Sequence, residues 1–151
     1  MKTSEPPVIV SQNFAQSVET VWKAITEVSQ MKHWFFDNIP DFKAEVGFQT
    51  KFTVKAPSLD FMHLWRIVEV IPHKKLVYNW KYEGLQGDSF VTFELQEKDQ
   101  ETLLMLTTKV TEDFSEDIPE FTAKVVLVVG RILSNSDWFC FWRIYKKRTN
   151  S

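Results

Sequence analysis

The chain of 151 residues has a single cysteine, Cys140. No internal disulfide can form, and a reducing cytoplasm is the expected compartment. No apolar run approaches the roughly 20 residues of a membrane span, which argues against membrane insertion. The opening "MKTSEPP" is polar and is not followed by the apolar core of a signal peptide. Residues 1–7 read as a flexible leader to one domain spanning 1–151. Charge of one sign is not in excess: the formal net charge is −2, which argues against nucleic acid as the main partner, since phosphate binding needs a basic face. Catalytic signatures are missing as well. There is no HExxH, no GxSxG and no phosphate-binding glycine loop. The three histidines, His33, His63 and His73, do not have metal-ligand spacing. No metal and no cofactor are expected, and an enzymatic role is the weaker reading.

What the chain does have is aromatic mass. It holds 13 Phe, 6 Trp and 3 Tyr, or 15% of all residues. Rings on that scale belong to a core, a cavity wall or an interface, because large rings left in water are a liability. Trp34, Phe35, Trp65, Tyr78, Trp80, Phe93, Phe139 and Trp142 are the candidates to line one interior. A solid core is the plain reading of such a set. The sharper reading is a hollow that binds a small apolar molecule, with His63 and Arg66 as polar anchors. Cys140, between Phe139 and Phe141, reads as buried and inert.

Patterning supplies the frame. "VIVSQNF" (8–14) reads as a strand. In "SVETVWKAITEV", Val18, Val21, Trp22, Ile25 and Val28 recur on one helical face, with Ser17 placed to cap it and Glu19 in the first turn. Ser29 is placed to cap a short second helix, "QMKHWFF". From Phe42 to Val110 the period changes to strands. Gly47 divides "FKAEV" from "FQTKFTV" as if in a hairpin or bulge, Pro72 opens a turn between "HLWRIVEVI" and "LVYNWKYE", and Gly84 and Gly87 mark another turn. Leu76, Tyr78 and Trp80, like Val91, Phe93 and Leu95, alternate as one buried face requires. Short turns make the six or seven strands antiparallel. An acidic connection follows, from Glu112 to Glu120. "FTAKVVLVVGRIL" (121–133) fits either a helix, on the spacing of Phe121, Val125, Val128 and Ile132, or a strand, on its β-branched run; "SNSD" reads as a break or a cap, and "WFCFWRIYKKR" is apolar nearly all round before a basic end that suits a helix C-terminus.

"SVETVWKAITEVSQMKHWF", "EVGFQTKF", "RIVEVIPHKKLVYNW" and "SFVTFELQEKDQETLLML", in that order, resemble the START-like and birch-pollen-allergen helix-grip superfamily. Within it the likeness is greatest to relatives of the C-terminal domain of the activator of heat-shock-protein-90 ATPase. The resemblance covers about Val8 to Val110. It implies an α+β helix-grip fold: a curved antiparallel sheet, two short helices after the first strand, and a long C-terminal helix packed across the sheet over a cavity. The Gly-Trp pair that commonly opens that helix has no counterpart, since Arg131 follows Gly130. An exposed "WFCFW" would be an interface, such as that of a homodimer. Three functions are compatible with the resemblance. The first is non-catalytic binding of an unidentified small hydrophobic molecule. The second is chaperone regulation in a stress response, although the activators carry a further N-terminal domain without a counterpart here. The third is a cyclase or hydratase using His63, Arg66 and Tyr78.

Overall fold

Strand β1 (Val8–Phe14) leads into helix α1 (Val18–Thr26), whose start is fixed by its sequence. The Ser17 hydroxyl accepts the Thr20 N–H at 3.3 Å, and the Glu97 carboxylate accepts the Val18 N–H at 3.1 Å. Two of the four orphan donors of the first turn are thereby satisfied. The buried stripe of α1 is Val21, Trp22, Ala24 and Ile25. Helix α2 (Val28–Trp34) follows at once. Glu27, extended at φ −91° and ψ 122°, ends α1 and begins α2, and its carbonyl accepts from Gln30 and Met31. Ser29 therefore lies inside α2 and does not cap it, because the break falls two residues earlier than the polar residues suggest. We describe the protein from a computed structural model, in which residues 2–55, 58–118, 128–131 and 138–140 are described, the last two stretches as backbone.

Five strands then run as an antiparallel meander: β2 (Gln49–Lys55), β3 (Asp60–Ile71), β4 (Lys75–Tyr82), β5 (Asp88–Lys98) and β6 (Glu101–Glu112). The sheet order is β1-β6-β5-β4-β3-β2. The turns carry the chemistry their dihedrals demand. Pro72 occupies the second position of a turn closed by Lys74 N–H to the Ile71 carbonyl at 2.9 Å, and His73 has φ +64°. A left-handed third residue after proline is a type II turn. Asp99 and Gln100, at φ +54° and +65°, form the two-residue link between the paired Lys98 and Glu101. Two consecutive left-handed residues are the type I′ geometry that matches strand twist. Gly47, at φ +92°, does not divide a hairpin. Residues 42–46 are not a strand; the Gly47 N–H donates to the Ile67 carbonyl at 2.8 Å and delivers the chain into edge strand β2.

Alternation sorts the sheet into two faces. The inward one carries Phe52 on β2, Phe61, His63, Trp65 and Ile67 on β3, Leu76, Tyr78, Trp80 and Tyr82 on β4, Val91, Phe93 and Leu95 on β5, and Leu104 and Leu106 on β6, all buried. A bulge at Val68 resets β3, so that Glu69 pairs with Val77. Beyond β6, the acidic connection does more than bridge solvent. Lys2 forms an ion pair with Glu116, and the Thr3 N–H donates to Asp113 at 2.6 Å. These contacts hold both carboxyls below the usual range: Asp113 through the Thr3 amide, Glu116 through the Lys2 ammonium.

The long C-terminal helix implied by the resemblance falls on 121–148, most of which lies outside the described residues. The two described stretches there are strands, β7 (Val128–Arg131) and β8 (Trp138–Cys140), paired antiparallel with Arg131 opposite Trp138. At Val128–Arg131 the strand reading of the β-branched run prevails, and β7 lies beside α2. The homodimer expected through this segment also rests on residues outside the described set.

Candidate functional site

The inward face between β2 and β5 is a continuous floor of rings. His63 stacks on Phe52, with centroids 4.9 Å apart and planes at 14°, and meets the edge of Tyr82 at 4.8 Å. Trp65 lies 5.1 Å from Trp80 and 5.1 Å from Tyr78, and Tyr78 lies 5.8 Å from Phe93. These rings meet because cross-strand register brings them together: His63 pairs with Tyr82, Trp65 with Trp80, and Tyr78 sits opposite Ile67. A second layer comes from the end of α2. Phe35 is its C-cap, with its N–H on the Met31 carbonyl, and stands 5.1 Å from Trp65. Phe36 stands 5.0 Å from His63 and 5.3 Å from Phe52. All these separations fall in the range of favourable aromatic pairs.

Polar atoms within this floor are few, and they divide into two kinds. Several are bonded: Trp80 Nε1–H donates to the Tyr82 hydroxyl at 3.0 Å, Ser89 Oγ–H donates to the Trp80 carbonyl at 2.7 Å, and His63 Nδ1 lies 3.1 Å from the Phe61 carbonyl. Trp65 Nε1, the Tyr78 hydroxyl and Thr108 Oγ1 are buried with no hydrogen-bond partner among the described residues. Tyr78 and Thr108 lie on one cross-strand row, both paired with Val91. Burial pushes the His63 imidazole down to about 3, outweighing the opposite pull of the Phe61 carbonyl. Burial likewise holds the Tyr78 phenol well above its ordinary value. Both side chains are therefore neutral at pH 7.

Of the residues singled out in the sequence, Phe35, His63, Trp65, Tyr78, Trp80 and Phe93 come together on this floor. Arg66 does not. It sits on the opposite, exposed face, where it lines an open groove of about 730 Å³ with Lys51, Leu64, Asn79 and Lys81. Residues three apart on an unbulged strand point to opposite sides, so His63 and Arg66 cannot serve one interior. The side chains of Trp34 and Phe139 lie outside the described set, as does Trp142 altogether. Phe36, Phe52, Phe61 and Tyr82 join the floor without being among the candidates drawn from the sequence. Tyr82 and Phe61 were available by extending the alternation of Trp80 and Trp65, whereas Phe36 depends on where α2 ends. Among the described residues no group of three His, Cys, Asp or Glu side chains is placed to hold a metal ion. No described helix is long and apolar enough to cross a membrane.

Comparison with known proteins follows the same lines. The chain is similar to protein CV1439 from Chromobacterium violaceum, with a TM-score of 0.61 and 17% identity over 75% of this chain and 83% of that one. It is similar to Mll3558 from Rhizobium loti, with a TM-score of 0.65 and 16% identity over 76% and 83%. A third similar structure is MLL2253 from Mesorhizobium loti, with a TM-score of 0.58 and 25% identity over 70% and 76%. No curated protein matches. The sequence profile described as activator of Hsp90 ATPase homolog 1-like protein matches residues 15–125. With well over half of its length matched, and with the order of elements found above, the chain belongs to the family of activator of Hsp90 ATPase homolog 1-like proteins.

Proposed function

We propose that the protein binds a small hydrophobic molecule against the aromatic floor of its sheet, without performing chemistry on it. One observation carries this reading. Trp65 Nε1 and the Tyr78 hydroxyl are buried without partners among the described residues, on rings whose centroids are 5.1 Å apart. Leaving a polar group unpaired in an interior costs about 1–3 kcal/mol, a cost that native cores generally avoid. This chain avoids it at Ser89, Asn79 and Thr102, each of which has a partner. Unpaired groups ringed by aromatic side chains are what an incoming ligand would satisfy. The family description carries chaperone regulation as a competing role, and that role has no residue-level support in the floor. The cyclase reading retains His63 and Tyr78 but loses Arg66 to the outer face.

Native mass spectrometry of protein purified from its own host tests the proposal. A retained species of drug-like mass is expected, released on denaturation. A protein that leaves its host empty, and takes up no apolar probe at concentrations of about 100 μM, would overturn the reading.

A further inference from the structure

The proposed site restricts its ligand further, and this inference rests on the binding reading above. From Phe61 to Ile67, Leu76 to Tyr82 and Val91 to Leu95, the inward side chains are Phe, His, Trp, Ile, Leu, Tyr and Val, with no Lys, Arg, Asp or Glu. Glu97, farther along β5, is already engaged by the Val18 amide. The imidazole of His63, which could supply a charge, is neutral at pH 7 because burial holds it near 3. A ligand carboxylate, phosphate or ammonium placed here would meet no opposite charge among the described inward side chains of these strands, and burying an unpaired ion is far costlier than burying a dipole.

The unpartnered atoms indicate which dipole. An indole N–H can only donate. A phenol can donate or accept, and one that stays neutral keeps its O–H as a donor. A carbonyl oxygen has two lone pairs and can accept from both. The two rings stand 5.1 Å apart between centroids, so a small molecule seated against one also borders the other. We infer that the ligand is an uncharged molecule with an aromatic or otherwise apolar body and a carbonyl-type acceptor, received by Trp65 Nε1–H and Tyr78 O–H.

Three probes of matched body separate the possibilities: benzophenone, which has the carbonyl, diphenylmethane, which lacks it, and 4-benzylbenzoate, which carries a negative charge. Equilibrium dialysis at pH 7 should find benzophenone bound about tenfold more tightly than diphenylmethane, the gain of two modest hydrogen bonds, with the anion weakest. Tyr78→Phe should remove most of that advantage while leaving diphenylmethane unchanged, a pattern that loss of packing alone would not produce. Trp65→Phe should reduce the advantage by a similar factor. Equal binding of benzophenone and diphenylmethane, or preference for the anion, overturns this inference and leaves the hydrophobic-binding proposal standing. Binding of none of the three at about 100 μM, near the weak end of useful affinity, overturns both.

Discussion

Replacing Tyr78 by Phe removes one oxygen from a side chain that is fully buried and makes no hydrogen bond. For most buried tyrosines that change destabilises, because a partner loses its bond. Among the described residues there is no partner to orphan, and the deleted hydroxyl is itself the unpaired group. The ring keeps its contacts with Trp65, Phe93 and Phe42, at centroid distances of 5.1, 5.8 and 6.0 Å. Relieving an unpaired buried hydroxyl should stabilise the ligand-free protein by about 1–2 kcal/mol, the lower part of the range for such groups. In a domain of this size each kcal/mol moves the melting temperature by about 2–4 °C. Urea unfolding of ligand-free Tyr78→Phe should show a raised midpoint with an unchanged slope. A second reading comes at high pH. The folded-state phenol is raised above its ordinary value of 10.0, so the unfolded chain loses its proton first and the native protein is destabilised as pH climbs past about 10. That contribution should vanish in the variant. A variant that is less stable by 1 kcal/mol or more, by the same order-of-magnitude scale, would mean that the hydroxyl has a native partner and would refute the reasoning.

His63 supplies an acid-side counterpart. Its folded-state value of about 3 lies below the ordinary 6.5, so the unfolded chain takes up a proton that the native state refuses. Stability is full above about pH 6.5 and falls as pH drops toward 3, by up to about 1.4 kcal/mol per unit. His63→Phe should flatten the difference between urea midpoints at pH 7 and pH 5 relative to the parent; equal slopes in both proteins would contradict the burial argument. Gly87 combines φ +123° with a virtual Cβ only 2.2 Å from the Phe114 ring, whereas Gly84 at φ +73° has open space. Gly84→Ala should cost about 1–2 kcal/mol for its left-handed backbone, and Gly87→Ala measurably more, since Phe114 must also move. Equal losses in thermal unfolding would show that the ring yields freely. At the type I′ link, Gln100→Gly relieves a left-handed non-glycine residue and should raise stability by about 0.5–1 kcal/mol, read from the same urea curves; a loss would mean that another turn forms.

The sheet was legible in the sequence because it obeys a period of two with turn residues where they are needed. Tyr78, Trp80, Phe93 and Leu95 announce their face, and Pro72 announces its turn. α1 was legible for the complementary reason, a period near four with Ser17 ahead of it. The errors lie where local chemistry gives way to context. Ser29 has the right side chain for a cap, but the chain breaks at Glu27, which no side-chain bond marks. Phe42 to Val46 look like half a hairpin, yet they turn, and Phe42 is drawn inward against Tyr78 by tertiary packing. The site was half legible. Spacing alone separates His63 from Arg66, since an odd offset along a strand reverses direction. Which ring polar atoms lack partners is a property of register and depth that no linear pattern encodes.

The position of β1 bears on how the chain reaches this arrangement. β2 to β6 pair with their sequence neighbours and can zip as successive hairpins, whereas β1 pairs with β6, matching Val8 to Thr108 and Phe14 to Thr102. Closing a loop of about 90 residues costs roughly 2 kcal/mol more chain entropy than closing one of about 10. Contacts so remote in sequence slow folding. The meander is therefore expected to form first and β1 to join last, bringing α1 and α2 onto a sheet already in register. Substitutions within the β3–β4 hairpin should slow folding, whereas those in β1 should chiefly hasten unfolding.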